Sequence, residues 1–252
     1  IGHPDCGELP IVDPRGLLTP FLDGWSLDGW LLAADGRCLL PSRAADCRQR
    51  QDMERGACIV TGTQMQGLAL ESSAWVELES GLPVCKLRLR ARSDTAAWLV
   101  LALRPYNPEG ISFIHQVNLS SDRTAWLVDD TQRVTFSAAA ARHHVSDYRH
   151  GDVYIHLEDL EDQTAGRCDV GMVTAAALFP VKANEATEIT ATIALAATAS
   201  AMLVADAWNT ARRNRCNLVC PEPRYQFLYD AAITSLILHS PDDVYPGPFT
   251  YK

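Results

Sequence analysis

A chain of 252 residues with a formal net charge of −9 and an isoelectric point near 5.2 lacks the basic clusters that a nucleic-acid or anionic-membrane partner would call for. No apolar run approaches the roughly 20 residues of a bilayer-spanning helix. The length is ample for a large core, and all-β sandwiches of this size form single domains.

The chain opens IGHPDCGELP, on Ile1 rather than Met, with neither a basic n-region nor an apolar h-region, and closes on PGPFTYK. The expectation is a piece of a longer bacterial cytoplasmic protein, with the terminal Lys252 fitting cleavage after a basic residue. Eight cysteines, at 6, 38, 47, 58, 85, 168, 216 and 220, follow no tight framework. In a chain this long they read as reduced thiols, Cys85 as a small hydrophobe on a strand face.

In chain order, Asp23-Gly24 and Asp28-Gly29 are turn dipeptides. They predict short strands over Trp25–Leu27 and Trp30–Ala33. Residues 41 to 56 are polar and hold Arg43, Arg48 and Arg50, as in a surface connection. From Leu68 to Leu78 the apolar side chains take the even positions and Glu71, Glu77 and Glu79 the odd, which predicts a long amphipathic strand. Gly81-Leu82-Pro83 would turn it. The next strand alternates Cys85, Leu87, Leu89 and Ala91 with Lys86, Arg88, Arg90 and Arg92. A glutamate face beside an arginine face predicts antiparallel pairing of the two.

The segment Trp98 to Leu119, WLVLALRPYNPEGISFIHQVNL, reads as the central hairpin. A continuous apolar run suits a strand buried on both faces, and Ile111, Phe113, His115, Val117 and Leu119 alternate beyond the loop. His115 would then be a hydrogen-bonded core residue. The loop holds Arg104, Tyr106, Asn107 and Glu109 around two prolines, polar groups presented at low entropic cost to an interdomain surface or an active-site rim. Strands are further expected at Ala125–Val128, Val134–Phe136, Val153–Leu157, Cys168–Phe179 and Ile189–Leu195. About ten to twelve strands without a helical period curl or split into two packed layers, so the fold class is mainly β, a large antiparallel two-sheet sandwich.

Near residue 200 the period changes. Ala201 to Asn214 has good helix formers, with Arg212, Arg213 and Arg215 at the end favoured by the helix dipole. A linker over Cys216–Pro223 leads to a second helix, Arg224 to His239, with Tyr225, Leu228, Tyr229, Ala232 and Leu236 on one face.

This order, ending YDAAITSLILHSPDDVYPGPFTYK, resembles the start of bacterial glucoamylase-like and debranching-type glycoside hydrolases, and LALRPYNPEGISFIHQVNL with DGWLLAADGR resembles their amino-terminal β-sandwich. The resemblance implies a sandwich domain at 1–200, a linker helix and linker at 201–223, and the truncated start of an (α/α)6 barrel at 224–252. It further implies a non-catalytic part of a sugar-cleaving enzyme acting on α-glucans, whose partner is the missing barrel of the same polypeptide. Without that partner, helix 224–239 would expose its apolar face and drive self-association.

The residues agree with a non-catalytic role. Inverting hydrolysis needs two carboxyl groups about 6.5–9.5 Å apart, and the one dense acidic run, Glu158, Asp159, Glu161 and Asp162, reads as a solvated turn. His143, His144, His150 and His156 with Asp147 and Asp152 match no compact zinc spacing and read as polar loop and strand edge. Cys216 and Cys220 lack a second pair. No phosphate loop, nucleophile elbow or H-E-x-x-H occurs, so no metal or cofactor is expected. Tyr245, Phe249 and Tyr251, interleaved with Pro246, Gly247 and Pro248, suit either stacking on an oligosaccharide or packing between domains. Two further readings stand beside the favoured one: a self-contained, lectin-like carbohydrate-binding sandwich, and a metal-dependent enzyme using the histidines.

Overall fold

The computed structural model describes residues 1–4, 6–53, 57–159, 161–195, 207–213 and 216–240. Its body is two antiparallel sheets. The first runs, in spatial order, Ile11–Val12, Leu18–Thr19, Ser26–Ala33, Ala97–Arg104, Thr174–Val181 and Arg142–Ser146, with Cys38–Leu39 also paired to Ser26–Ala33. The second runs Ala165–Arg167, Gln116–Leu119, Ala125–Val128, Gln132–Phe136, Ala186–Ala194, Leu82–Ser93, Leu68–Glu79, Cys58–Met65 and Cys47–Asp52. Two helices, Ala207–Arg212 and Pro223–Leu238, follow.

The long amphipathic pair is found as expected. Leu68–Glu79 and Leu82–Ser93 face each other in a register that sets Leu70 opposite Ala91, Ala74 opposite Leu87 and Val76 opposite Cys85, all buried. On the solvated face Glu71 stands opposite Arg90, and the Lys86 ammonium reaches the carboxylates of Glu77, at 2.6 Å, and Glu79. The turn lies one residue earlier than expected, at Ser80-Gly81, both at positive φ (50° and 80°). A two-residue loop of that kind matches the right-handed twist of its strands.

The sandwich core forms where Leu27, Leu31, Leu99, Leu101, Leu103 and Ala177 of the first sheet meet Leu70, Leu87, Leu89 and Ile189 of the second. Trp126, Phe136 and Phe179 bridge the sheets edge to face, with ring centroids 4.9 and 6.0 Å apart. The opposite face of the first sheet is also covered. Trp30, Val100, Ala102, Ala176 and Leu178 pack under Val153 and Leu157, so the Ala97–Arg104 strand is buried on both faces, as its continuous apolar run implies.

Several expectations are corrected. Asp28-Gly29 is not a turn: Ser26–Ala33 is one strand. A Cβ on Gly29 would come within 2.7 Å of Leu89 Cδ2, so the glycine marks a close approach of the two sheets. Residues 47–52 form an edge strand rather than a connection. Trp98–Leu119 is not a hairpin, because Ala97–Arg104 belongs to the first sheet and Gln116–Leu119 to the second. The intervening chain arches across, making only a two-residue pairing of Tyr106–Asn107 with Gly110–Ile111 and a parallel bridge from Ile114 to Met172. That bridge resets the alternation. Ile114 and Val117 are buried while Ile111, Phe113 and His115 are exposed, so His115 is a surface residue. Val153–Leu157 is no strand either. Val153–His156 is a 3-10 turn capped by the Asp152 carboxylate, which puts Val153 and Leu157 on one face toward the sheet. Cys168 precedes the Thr174–Val181 strand instead of starting it.

Candidate functional site: the loop end of the sandwich

The indole of Trp25, at the start of one first-sheet strand, donates to the Gln132 side chain at the start of a second-sheet strand, so these strand ends lie at the same end of the sandwich. Strand pairing brings further segments there. Arg104 pairs with Ser26, Val128 with Gln132 and Val117, and Val134 with Ile193. The 104–115 arch and the 129–131 turn therefore share this end with Leu195, where the strand leading toward the helices stops.

Within this end Arg104 is a structural anchor. Its guanidinium grips both Asp152 carboxylate oxygens, Nη1 at 2.8 Å from Oδ1, and its Nε donates to the Tyr106 hydroxyl at 3.3 Å. Its carbon centre lies 5.2 Å from the ring centroids of both Trp30 and Tyr106, a cation held between aromatic faces. Asp152 stays below the ordinary carboxylate range because the Arg104 contacts and the Tyr154 N–H outweigh its partial burial. Asp28 lies deeper, accepting from Trp30 Nε1 at 2.7 Å and Gly29 N–H at 2.8 Å. Burial pushes its pKa up to about 6 despite those donors and the Arg104 charge.

Asn107 ties the loop down. Its Oδ1 accepts from the Glu109 and Gly110 N–H groups at 2.8 and 3.1 Å while its Nδ2 donates to the Gly24 carbonyl at 2.9 Å. Of the four loop residues named from the sequence, Arg104, Tyr106 and Asn107 thus hold the arch in shape, and Glu109 alone is exposed. Beside Glu109 and His115, the arch presents large apolar side chains to solvent. Ile111 is 65% exposed and Phe113 61%, with Val170 at 54% beside them, since the Phe113 ring packs over Gly171. Sequence alternation missed these because it turned Phe113 inward. Leu22, before Trp25, is also exposed.

The second helix carries a like feature. Leu238 packs on Gly2 and Thr234 is buried, yet Tyr225, Leu228 and Leu236 are exposed. Tyr245, Phe249 and Tyr251 lie outside the described residues, as do 201–206, 214 and Arg215 of the expected linker helix, of whose arginines Arg212 and Arg213 are described.

The histidines separate into two environments. His143 is fully buried, accepting from Trp126 Nε1 at 2.7 Å through Nε2 and donating through Nδ1 to the Gln163 carbonyl. Desolvation lowers its pKa to about 4, so it is a neutral core residue. His150 and His156 sit on a strap, 147–159, that follows the Arg142–Ser146 strand, and are paired with Asp147 and Asp159. Among the described residues no group of three or more His, Cys, Asp or Glu side chains is placed to hold a metal ion.

No protein-family model matches the sequence, and no curated protein sequence does. The fold does find counterparts. A bacterial glucoamylase, solved in complex with acarbose, aligns over 93% of this chain with a TM-score of 0.51 at 8% sequence identity. A kojibiose phosphorylase-like chain from the human microbiome aligns over 68%, with a TM-score of 0.37 at 10% identity, and covers 22% of its own length. This chain spans 38% of the glucoamylase. The two-sheet sandwich with its trailing helices is therefore glucoamylase-like in fold.

Proposed function

We propose that the chain is the non-catalytic amino-terminal sandwich of a carbohydrate-active glycoside hydrolase acting on α-glucans, and that it scaffolds an (α/α)6 catalytic domain of the same polypeptide. In this reading the sandwich domain is 1–200, the linker 201–223, and 224–252 the start of the helical domain. The observation that carries it is the apolar surface at the loop end. Ile111, Phe113 and Val170 are exposed at the end toward which the chain leaves for its helices, and the second helix exposes Tyr225, Leu228 and Leu236. Exposed apolar surface of this kind marks an interaction site. Arg104, Tyr106 and Asn107 serve the same role by fixing the arch that presents it. We place the protein in a reducing, cytoplasmic compartment, which the free thiols of Cys6, Cys38, Cys47, Cys85, Cys168, Cys216 and Cys220 support.

Analytical ultracentrifugation of the chain tests the reading. Without its helical partner it should self-associate, and Phe113→Glu together with Leu228→Glu should return it to monomer. A wild-type chain that stays monodisperse and monomeric at high concentration overturns the proposal. The lectin-like alternative draws its support from a different part of the surface, a polar groove on the lateral edge.

A further inference from the structure

Where the lateral edges of the two sheets meet, the Arg142–Ser146 strand, the strap that follows it and the Ala165–Arg167 strand enclose a groove of about 360 Å³. That is within the range of small-ligand sites, about 300–1,000 Å³. Its polar lining is Ser146, whose hydroxyl is taken up by the Gly151 carbonyl, with Asp147, His150, His156, Asp159, Gln163 and Arg167. The floor is rigid, because Gly166 has no side chain and the Val145 methyl groups fill the space where a Cβ would go.

The hydrogen bonds inside the groove leave a defined set of groups over. Asp147 Oδ1 accepts from the Arg149 and His150 N–H groups and from His150 Nδ1 at 2.8 Å, which orients the imidazole and leaves Nε2 outward. His156 has an acceptor at each nitrogen, the Asp159 carboxylate at 2.9 Å and the His150 carbonyl at 3.0 Å. Both contacts favour the imidazolium, and the pKa is raised accordingly, first by the carbonyl and then by Asp159. The Arg167 guanidinium and the Gln163 amide have no side-chain partner among the described residues. Asp147 and Asp159 keep lone pairs unused.

Charge decides what such a groove would take. The lining sets two carboxylates against Arg167 and a His156 ring whose two nitrogens both face acceptors, so neither sign of charge dominates the groove. The wall is too polar for a lipid or a flat aromatic. What remains is a ligand that is neutral and rich in groups that both donate and accept.

We propose that this groove binds a neutral polyhydroxylated ligand of mono- or disaccharide size, with Arg167 and Gln163 donating and His150 Nε2, Asp147 and Asp159 accepting. The proposal does not rest on the docking reading, since the groove uses neither the Phe113 surface nor the second helix. Titration of the intact chain by calorimetry with D-glucose, maltose and glucose 6-phosphate tests it. Saturable binding of glucose or maltose is expected with a Kd on the order of 1 mM. Arg167→Ala and His150→Ala should each weaken it about tenfold without lowering the melting temperature, these side chains being exposed. Arg90→Ala, on the outer face of the second sheet, should leave it unchanged. No saturable binding, tighter binding of glucose 6-phosphate than of glucose, or binding insensitive to Arg167→Ala would each overturn the proposal. A monomeric chain that still bound maltose would sink the docking reading and leave this one standing.

Discussion

Arg104 holds Asp152 in a bidentate grip that joins the end of a central strand to the strap covering the outer face of the first sheet. The arginine side chain is 10% exposed and the aspartate 38%. Breaking a fully buried pair from one side costs about 3–5 kcal/mol. Because Asp152 is partly solvated, Arg104→Met should cost less, about 2 kcal/mol, read as a fall in the urea midpoint. Arg104→Lys should recover little of it, since an ammonium supplies neither the fork nor the planar stack over Trp30 and Tyr106. A full recovery by lysine would show that only the charge matters.

Parts of this architecture were legible in the sequence because one strand face meets water. Leu68–Glu79 and Leu82–Ser93 alternate so regularly that their pairing and inward faces follow from the pattern alone. Where burial is two-sided or contacts are distant, the pattern misleads. Asp28-Gly29 has turn composition, yet the carboxylate is satisfied within the strand by Gly29 N–H and Trp30 Nε1, and the glycine is demanded by Leu89 of the other sheet. The Arg142–Ser146 strand escaped notice because His143 and His144 look like surface residues, while Trp126, seventeen positions away in sequence, supplies the bond that lets His143 be buried. At the candidate site the loop composition drew attention to Arg104 and Asn107 as groups presented to a partner surface, whereas their side chains turn back to hold the arch in shape. The exposed side chains Ile111 and Phe113 depended on a register break at Ile114 that only the Met172 bridge explains.

Asp28 and His143 set opposing pH dependences. His143 has its pKa lowered from 6.5 to about 4, so its contribution is complete above pH 6.5 and lost as the pH falls toward 4. Asp28 is raised from 3.8 to about 6, so its contribution is complete below pH 3.8 and lost as the pH rises through 6. Each is worth on the order of 3 kcal/mol. At pH 5 the unfolded chain protonates the histidine and the folded chain the aspartate, so proton uptake by these two groups cancels. Removing one should expose the other: in His143→Gln, melting temperature should fall as the pH rises from 4 to 6, relative to the wild-type profile. A variant profile parallel to wild type would rule out the buried neutral histidine.

The same carboxyl group can be followed directly. Carbon-13 NMR of Asp28 should show a midpoint near pH 6, well above the acidic groups of the surface. Burial is the largest cause and the Arg104 charge opposes it, so Arg104→Met should move the midpoint higher still. A midpoint at or below 4 would mean that the Trp30 and Gly29 donors outweigh desolvation.

Gly29→Ala probes the close approach of the two sheets. The added methyl group would lie 2.7 and 3.0 Å from the two terminal carbons of Leu89 and 3.4 Å from its branch point, so the whole leucine would have to shift within a packed interior. Leu89 is fully buried and surrounded by core side chains, and overpacking of this kind costs about 1–3 kcal/mol. Leu89→Ala alone would open a cavity at about 2–5 kcal/mol. In the double variant the new methyl group occupies part of that cavity, so the two losses should fall short of additivity by 1 kcal/mol or about that in a denaturation cycle. Strict additivity would mean that Gly29 and Leu89 do not share the space between the sheets, and that the glycine is required by the strand itself.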